Sequence, residues 1–494
     1  MRVRVLNPAE AVGHGDRSLS PTAYVGDSLL LTDDPSGDDD PVVSSLRTLL
    51  EKKFRVTCAD ESADATREAA DASSLRRRVA LIPRDGQLTS GVDAWVALQS
   101  LLAAHPDLKG RIGLNHVMTA AARPYWDPVP YWDPVPWVGA APYWDPVPFG
   151  SAAQGVGEYG AAGIGGRTPV VWQAPDPRLT AAPVKREPVV AVIDTGIGVH
   201  DWFPARAAAV ERLEPLDEDD VVDGLDTGVI DANTGAIGPL AGHGTFIAGV
   251  IRQKCPRARL LSIPVLGADG VVEEELVLRA LRLLLSRQRE AVATKNANKL
   301  VDVVCLSMGY YHEEGEDGAA KTALAAVLAE LGKAGVAVVA AAGNGAVDDL
   351  FYPAAFGLAS GPDPLPAGPP PLVSVGALNP DGQTVALFTN DGDWVTTHRL
   401  GAAIVSTVPV SLQGGLSPSV VVGNRRTIDR DDFSSGFAIW SGTSFAAPVL
   451  AAEIANALIK DRTWSSGSTA PSRVGAAVGA ALGRPARKKQ EAAS

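Results

Sequence analysis

Four short runs of almost unbroken apolar residues, at 189–193, 260–263, 301–306 and 336–340, most constrain how this chain folds. A strand with one wet face alternates apolar and polar residues, whereas a strand buried on both faces cannot. These runs are also too short to be helices. Helical patterns at 273–289 and 319–334 separate them, which is the rhythm of a parallel α/β sheet with helices on both faces. The strands therefore bring their carboxyl ends to one edge, where the sites of open α/β sheets gather.

At 494 residues the chain is too long for one ordinary core, so two domains with connecting segments are expected. Its 46% apolar and 20% charged content describes a globular protein. The formal net charge of −13 argues against nucleic acid and anionic membrane surfaces as partners. Residues 1–120 read as a small α+β domain. Strands are expected at 28–32, 55–58, 78–82 and 111–114, and helices at 42–54 and 92–104. The first helix would turn Leu46, Leu49, Leu50 and Phe54 inward, and the second Trp95, Leu98, Leu101 and Leu102. That β-α-β-β-α-β order is the ferredoxin-like arrangement.

Residues 121–185 read as a linker. Tyr125-Trp126-Asp127-Pro128-Val129-Pro130 recurs at 131–136 and 143–148. Prolines at this spacing cannot donate ladder hydrogen bonds and favour polyproline II, leaving aromatics spaced along an extended chain. Such aromatics pack on a neighbouring domain or dock in the aromatic-lined groove of a partner. Residues 461–494, polar and rich in Gly and Ala, read as a flexible tail.

Cys58, Cys255 and Cys305 are too widely separated for zinc or redox spacing, and no ligand cluster points to a metal. The opening residues 1–7 are too short an apolar run for a secretory segment. The stretch at 474–482 is about half the length of a membrane span. A cytoplasmic protein without a membrane partner is the expectation.

The chemistry is concentrated at strand ends and helix starts. The run at 189–193 ends in Asp194-Thr195-Gly196. Gly242-His243-Gly244-Thr245 sets a histidine among glycines at the start of a helix. The run at 336–340 leads into Ala341-Ala342-Gly343-Asn344-Gly345. Ser441-Gly442-Thr443-Ser444 then opens an alanine-rich helix. Each residue alone has a bland use: Asp194 or Asn344 in a turn, His243 as a local hydrogen bonder, Ser444 as a helix cap. Together they supply acyl transfer. A serine hydroxyl needs a base, which His243 can be near neutral pH, and a carboxylate orients the imidazole. An oxyanion needs preorganised donors, which the Asn344 amide and the Ser444 N–H would provide.

The segments Ala191-Val192-Ile193-Asp194-Thr195-Gly196, His243-Gly244-Thr245 with Ala248-Gly249, and Gly442-Thr443-Ser444 with Ala446-Ala447-Pro448 resemble the three signature blocks of subtilisin-like serine peptidases, in the same Asp-His-Ser order. The resemblance covers about residues 186–460. It implies a serine endopeptidase acting on a protein or peptide, with Asp194, His243 and Ser444 as the triad and Asn344 as the oxyanion donor. It further implies that Ser307, Met308 and Gly309 pair with the substrate backbone. Ala341, Ala342 and Gly343 would wall the pocket for the residue before the scissile bond. The N-terminal α+β domain then takes on a prodomain-like meaning, removed on maturation or kept as a regulatory domain.

The chain departs from the family pattern in three places. Residues 252–259 are short and basic where many members carry a calcium-binding loop, so no cofactor is expected and calcium there is doubtful. Phe246 and Phe445 stand where smaller residues are usual. Segments 357–371 and 411–437 look like insertions on the substrate side. A non-catalytic binding protein and a hydrolase of non-peptide esters are the competing functions.

Overall fold

The computed structural model describes residues 2–7, 19–31, 41–50, 54–58, 78–83, 92–120, 166–173, 175–204, 210–213, 228–231, 233–314, 322–357, 360, 370–460 and 470–484. The three Tyr-Trp-Asp-Pro repeats and most of segment 357–371 lie outside them. The chain divides into two compact units. One comprises Met1–Met118, Val272–Leu283 and Tyr310–Ala329; the other comprises Thr119–Val271, Leu284–Gly309 and Glu330–Ser494.

The first unit is built from β1 (Val3–Leu6), β2 (Thr22–Leu31), α1 (Pro41–Leu50), β3 (Phe54–Cys58), β4 (Arg78–Pro83), α2 (Ala94–Ala104) and β5 (Ile112–Thr119), whose last residue, Thr119, belongs to the second unit. Its strands lie in the order β5-β2-β4-β3, all antiparallel, with β1 added against β2. The expected β-α-β-β-α-β order is present, preceded by one strand that the sequence pattern did not suggest. Two expectations for α1 need correction. Val42, Val43, Leu46 and Leu50 form its buried stripe, while Leu49 is 41% exposed. Phe54 lies beyond the helix, in β3. The reason is periodicity, since 42, 43, 46 and 50 share one helical face and 49 falls off it. Helix α2 starts at Asp93, whose carboxylate caps the Trp95 N–H at 3.0 Å and accepts the Tyr24 hydroxyl at 2.8 Å. Trp95, Leu98 and Leu101 are buried as expected, and Leu102 is half-buried.

The second unit holds β6 (Val189–Asp194), β7 (Val210–Arg212), α3 (His243–Lys254), β8 (Arg259–Pro264), β9 (Val303–Leu306), β10 (Ala337–Ala341), β11 (Leu372–Leu378) and β12 (Thr397–Leu400). These strands form one sheet, in the order β12-β11-β10-β9-β6-β8-β7, with every neighbouring pair parallel. Every residue of β6 and β9 is buried, which explains their unbroken apolar character. Register positions the site. Leu306 of β9 sits level with Ile193 on one side and Ala340 on the other. The next residues, Asp194, Ser307 and Ala341, therefore reach the same edge of the sheet.

After the long helix α4 (Glu274–Ala293) and α5 (Ala323–Lys333), the chain ends in α6 (Thr443–Lys460) and α7 (Ala470–Leu482). Helix α6 packs across β9, β10, β11 and β12, and α3 packs on β6. The expected flexible tail needs correction at 470–482, where α7 packs on α6 and buries Val474 and Val478. Small Ala and Gly residues let the two helices approach, so a composition that resembles a linker here makes an interface. No helix of the described residues is long and apolar enough to cross a membrane.

Candidate active site

Asp194 is the last residue of β6 and is fully buried. Its Oδ1 accepts the Thr195 N–H at 2.8 Å, and its two oxygens lie 2.8 and 3.0 Å from His243 Nδ1. A carboxylate accepts only, so the His243 proton sits on Nδ1 and Nε2 carries the lone pair. His243 opens α3 behind Gly242, whose φ of 79° is the left-handed conformation that glycine adopts without strain. The helix start is tied down by the Gly244 N–H donating to Thr195 Oγ1 at 2.9 Å. A Cβ at Gly244 would run into the Gly196 carbonyl, so the glycine permits the close approach of α3 to β6.

Ser444 lies in the first turn of α6, where the leading N–H groups have no intrahelical acceptor and favour negative charge. Ser444 and Ser307 are bound to each other reciprocally. Ser307 Oγ donates to the Ser444 carbonyl at 3.0 Å, and Ser444 Oγ donates to the Ser307 carbonyl at 3.4 Å. In this conformer the hydroxyl is not hydrogen-bonded to His243, a bond that in such sites often forms only with substrate present. The His243 ring is nonetheless the neighbour of the residue after Ser444, with its centroid 5.3 Å from that of Phe445.

Asn344 is held by the same helix start. Its Oδ1 accepts both the Thr443 N–H at 2.8 Å and the Thr443 hydroxyl at 2.9 Å. With the oxygen committed, the Nδ2 group is the end of the amide free to donate elsewhere. The preceding Gly343 has φ 103°, and its N–H donates to Thr443 Oγ1 at 3.1 Å. A network from Asn390 fixes the rest of this loop, accepting the Gly345 N–H at 2.8 Å and donating to the Ala342 carbonyl at 3.0 Å.

The sequence-expected residues thus divide into groups. Asp194 with His243, Ser307 with Ser444, and Gly343 and Asn344 with Thr443 are joined by direct hydrogen bonds at one sheet edge. Met308, Ala341 and Ala342 are buried beside them. Gly309 is paired in antiparallel fashion with Thr119, each N–H donating to the other's carbonyl at 2.9 Å. The Ala120 N–H in turn points to the Gly270 carbonyl at 3.4 Å. An extended stretch of this chain therefore lies along the edge expected to hold a substrate backbone.

Several supporting residues were missed by sequence reasoning. Thr195 and Thr443 lie inside the quoted motifs and were legible there. Asn390 and Arg167 carry no local signal. Arg167 is fully buried, donates to the Gly238 carbonyl at 2.7 Å and to the Pro239 carbonyl, and lies 5.0 Å over the Trp440 ring. Burial away from any carboxylate lowers its pKa to about 9. Trp440 meets His243 edge-on at 5.4 Å, and Phe246 packs on Phe445 at a tilt of 50°, with centroids 4.4 Å apart. Phe246 and Phe445, unusual on sequence grounds, thus join Trp440 in an aromatic wall beside the His243 ring.

The arginines of the basic turn at 252–259 each engage protein groups. Arg252 pairs with Asp176 at 2.7 Å, Arg257 donates to the Ala181 and Ala182 carbonyls, and Arg259 donates to the Asn298 carbonyl at 3.1 Å. Segment 411–437 carries an exposed hairpin, Val421–Val422 against Arg425–Arg426.

No curated protein matches the sequence. Solved structures with a similar fold include a cold-adapted subtilisin-like serine proteinase, at 21% identity over 58% of this chain and 79% of that one, with a TM-score of 0.36. A mutant of the protease domain of PatA matches at 21% identity over 59% and 84%, with a TM-score of 0.38. A lanthipeptide protease matches at 18% identity over 58% and 78%, with a TM-score of 0.37. The model of the subtilase family, Peptidase_S8, matches residues 185–482, more than half of the sequence. The chain belongs to the subtilase family of serine proteases.

Proposed function

We propose that the chain is a serine endopeptidase working through an acyl-enzyme, with Ser444 as nucleophile, His243 as base and Asp194 as the carboxylate that orients it. The observation that carries this reading is the buried Asp194–His243 pair, which leaves Nε2 with a lone pair at the edge where Ser444 sits. Ser444 Oγ attacks the scissile carbonyl carbon while its proton passes to His243 Nε2. The oxyanion is met by Asn344 Nδ2 and the Ser444 N–H. His243 then returns the proton to the leaving amine, and water repeats the sequence on the acyl-enzyme. Nucleophile, base and oxyanion donors all come from this chain, so the proposed reaction takes no metal or cofactor. The substrate is an extended peptide pairing with Ser307, Met308 and Gly309, its residue before the scissile bond walled by Ala341, Ala342 and Gly343.

The Thr119–Gly309 pairing supports a second element of the proposal. The chain presents its own backbone as the first substrate, and Ser444 cuts it a few residues after Ala120. The N-terminal segment is then a prodomain, released on maturation. Docking of a partner on the Tyr-Trp-Asp-Pro repeats remains part of the proposal.

A fluorophosphonate probe tests the chemistry. Labelling of the activated parent chain, lost in Ser444→Ala, is the expected result, and an activated parent left unlabelled would overturn it. Peptide-library cleavage separates a peptidase from an esterase. Self-cleavage is read by N-terminal sequencing: the parent should be shortened just beyond Ala120 and Ser444→Ala should stay whole. Two intact chains would remove the prodomain reading and leave the peptidase standing.

A further inference from the structure

Outside the Ser444 site, the described residues contain a second buried cluster of chemically capable side chains. His116, His312 and Glu313 each offer a donor atom, and these atoms all lie within 4.8 Å of one another. All three residues are buried and belong to the first unit. His116 Nε2 is 2.8 Å from Glu313 Oε2, and His312 Nδ1 is 3.8 Å from that same oxygen. On its other side, His116 Nδ1 is 2.7 Å from Glu274 Oε2. Tyr310 stacks over the His116 ring with centroids 4.3 Å apart, and Asn115 ties the neighbouring backbone by accepting the Glu275 N–H.

Charge gives the cluster its direction. Glu274 and Glu313 are both buried carboxylates, and buried charges require a counter-charge. The described cations nearby are committed elsewhere. Arg78 faces Glu273 and Glu275 at 4.0 and 3.9 Å, and Lys109 pairs with Glu314 at 3.2 Å. The Glu274 and Glu313 carboxylates therefore converge on the His116 ring, with His312 beside Glu313.

We propose that His116 Nε2, His312 Nδ1 and a Glu313 carboxylate oxygen form a binding site for a divalent transition-metal ion of the zinc class, with Glu274 orienting His116. Four-coordinate zinc holds nitrogen and oxygen ligands at about 2.0–2.2 Å, which sets neighbouring ligands about 3.4 Å apart. The separations of 2.8 and 3.8 Å to Glu313 Oε2 bracket that value, and the two imidazole nitrogens lie within 4.8 Å of each other, so a modest inward shift would complete the site. Glu274 on Nδ1 is the carboxylate–histidine–metal arrangement, which fixes the tautomer that leaves Nε2 a donor. His312 Nδ1 already accepts the Glu314 N–H at 3.0 Å, so it bears a lone pair, which the ion would take over from the amide. Two imidazoles with one carboxylate favour zinc or cobalt over calcium or magnesium. Three protein ligands leave a fourth position for water. The ion would staple β5 to a segment 197 positions away in sequence. This inference does not depend on the peptidase reading.

The test uses the full chain as Ser444→Ala, stripped with chelator and titrated with ZnCl2 and with CoCl2. One equivalent of cobalt should bind with the visible d–d bands of a four-coordinate ion, and zinc should displace it and raise the Tm. Adding His312→Ala should abolish the bands while far-UV circular dichroism shows the fold kept. Adding Glu274→Gln should weaken binding by about 10–100-fold. Absence of cobalt bands, binding in His312→Ala as tight as in the parent, or equal affinity for calcium would each overturn the site.

Discussion

Two buried histidines, one in each unit, begin alike and end differently. His243 and His116 are each 2% exposed, and each holds a carboxylate at Nδ1, at 2.8 and 2.7 Å. They part at Nε2. That nitrogen of His243 has no hydrogen-bond partner among the described residues, whereas that of His116 faces Glu313 at 2.8 Å. Burial disfavours the charged His116 ring, but Glu313 and Glu274 override it and raise its pKa to about 10. One carboxylate makes an oriented base with a lone pair to spend. Two make a ring whose second nitrogen is already spoken for, by a proton or by the proposed ion. The difference between the proposed base and the second histidine is thus a single added carboxylate.

The comparison can be broken at several points. Ser444→Ala and His243→Ala should each lower kcat by about 10⁶-fold, the magnitude measured in subtilisin. Ser444→Ala should leave thermal stability nearly unchanged, as seen by calorimetry, because it strands no buried charge. His116→Ala should do the reverse. It strands Glu274 and Glu313 without a counter-charge, at a cost of about 3–5 kcal/mol in denaturant unfolding. A stability in His116→Ala as unchanged as that of Ser444→Ala would erase the distinction. Asn344→Ala should reduce kcat by about 10²–10³ with KM little changed, again the range known for subtilisin. Gly244→Ala drives a Cβ into the Gly196 carbonyl and should cost about 1–3 kcal/mol, together with a loss of activity as α3 is pushed from β6. The smallest effect concerns the cysteines. Burial pushes the Cys255 thiol up to about 11 and Cys305 up to about 12, so neither should react with iodoacetamide at pH 8 in the native state.

Legibility in the sequence followed the range of the interactions. Strands β6, β8, β9 and β10 were readable because burial on both faces writes itself into consecutive residues. Asp194, His243, Asn344 and Ser444 were readable because each sits at the end of such an element, inside a short motif. Interactions between distant segments left no such trace. The His116 cluster draws Glu274 and Glu313 from 158 and 197 positions away, with no ligand spacing in the sequence. Arg167 lies in a Gly- and Pro-rich stretch that reads as linker, yet it is fully buried against Trp440. Strand β11 follows a run of prolines that concealed it, and helix α7 has the small-residue composition of a tail. Leu49 was misplaced by assuming that every leucine of an amphipathic helix faces inward.

The pairing of Thr119 with Gly309 has a kinetic consequence. Its two halves are parts of one molecule, so their encounter is unimolecular. A tethered segment competes for the Ser307–Gly309 edge at an effective concentration on the order of millimolar, however dilute the protein. Maturation by self-cleavage should therefore be first order and insensitive to dilution. On the proposed reading, an outside peptide would reach that edge readily only after the tether is cut. Activity should appear with a lag whose length is independent of enzyme concentration, unless a mature molecule also cuts its neighbours.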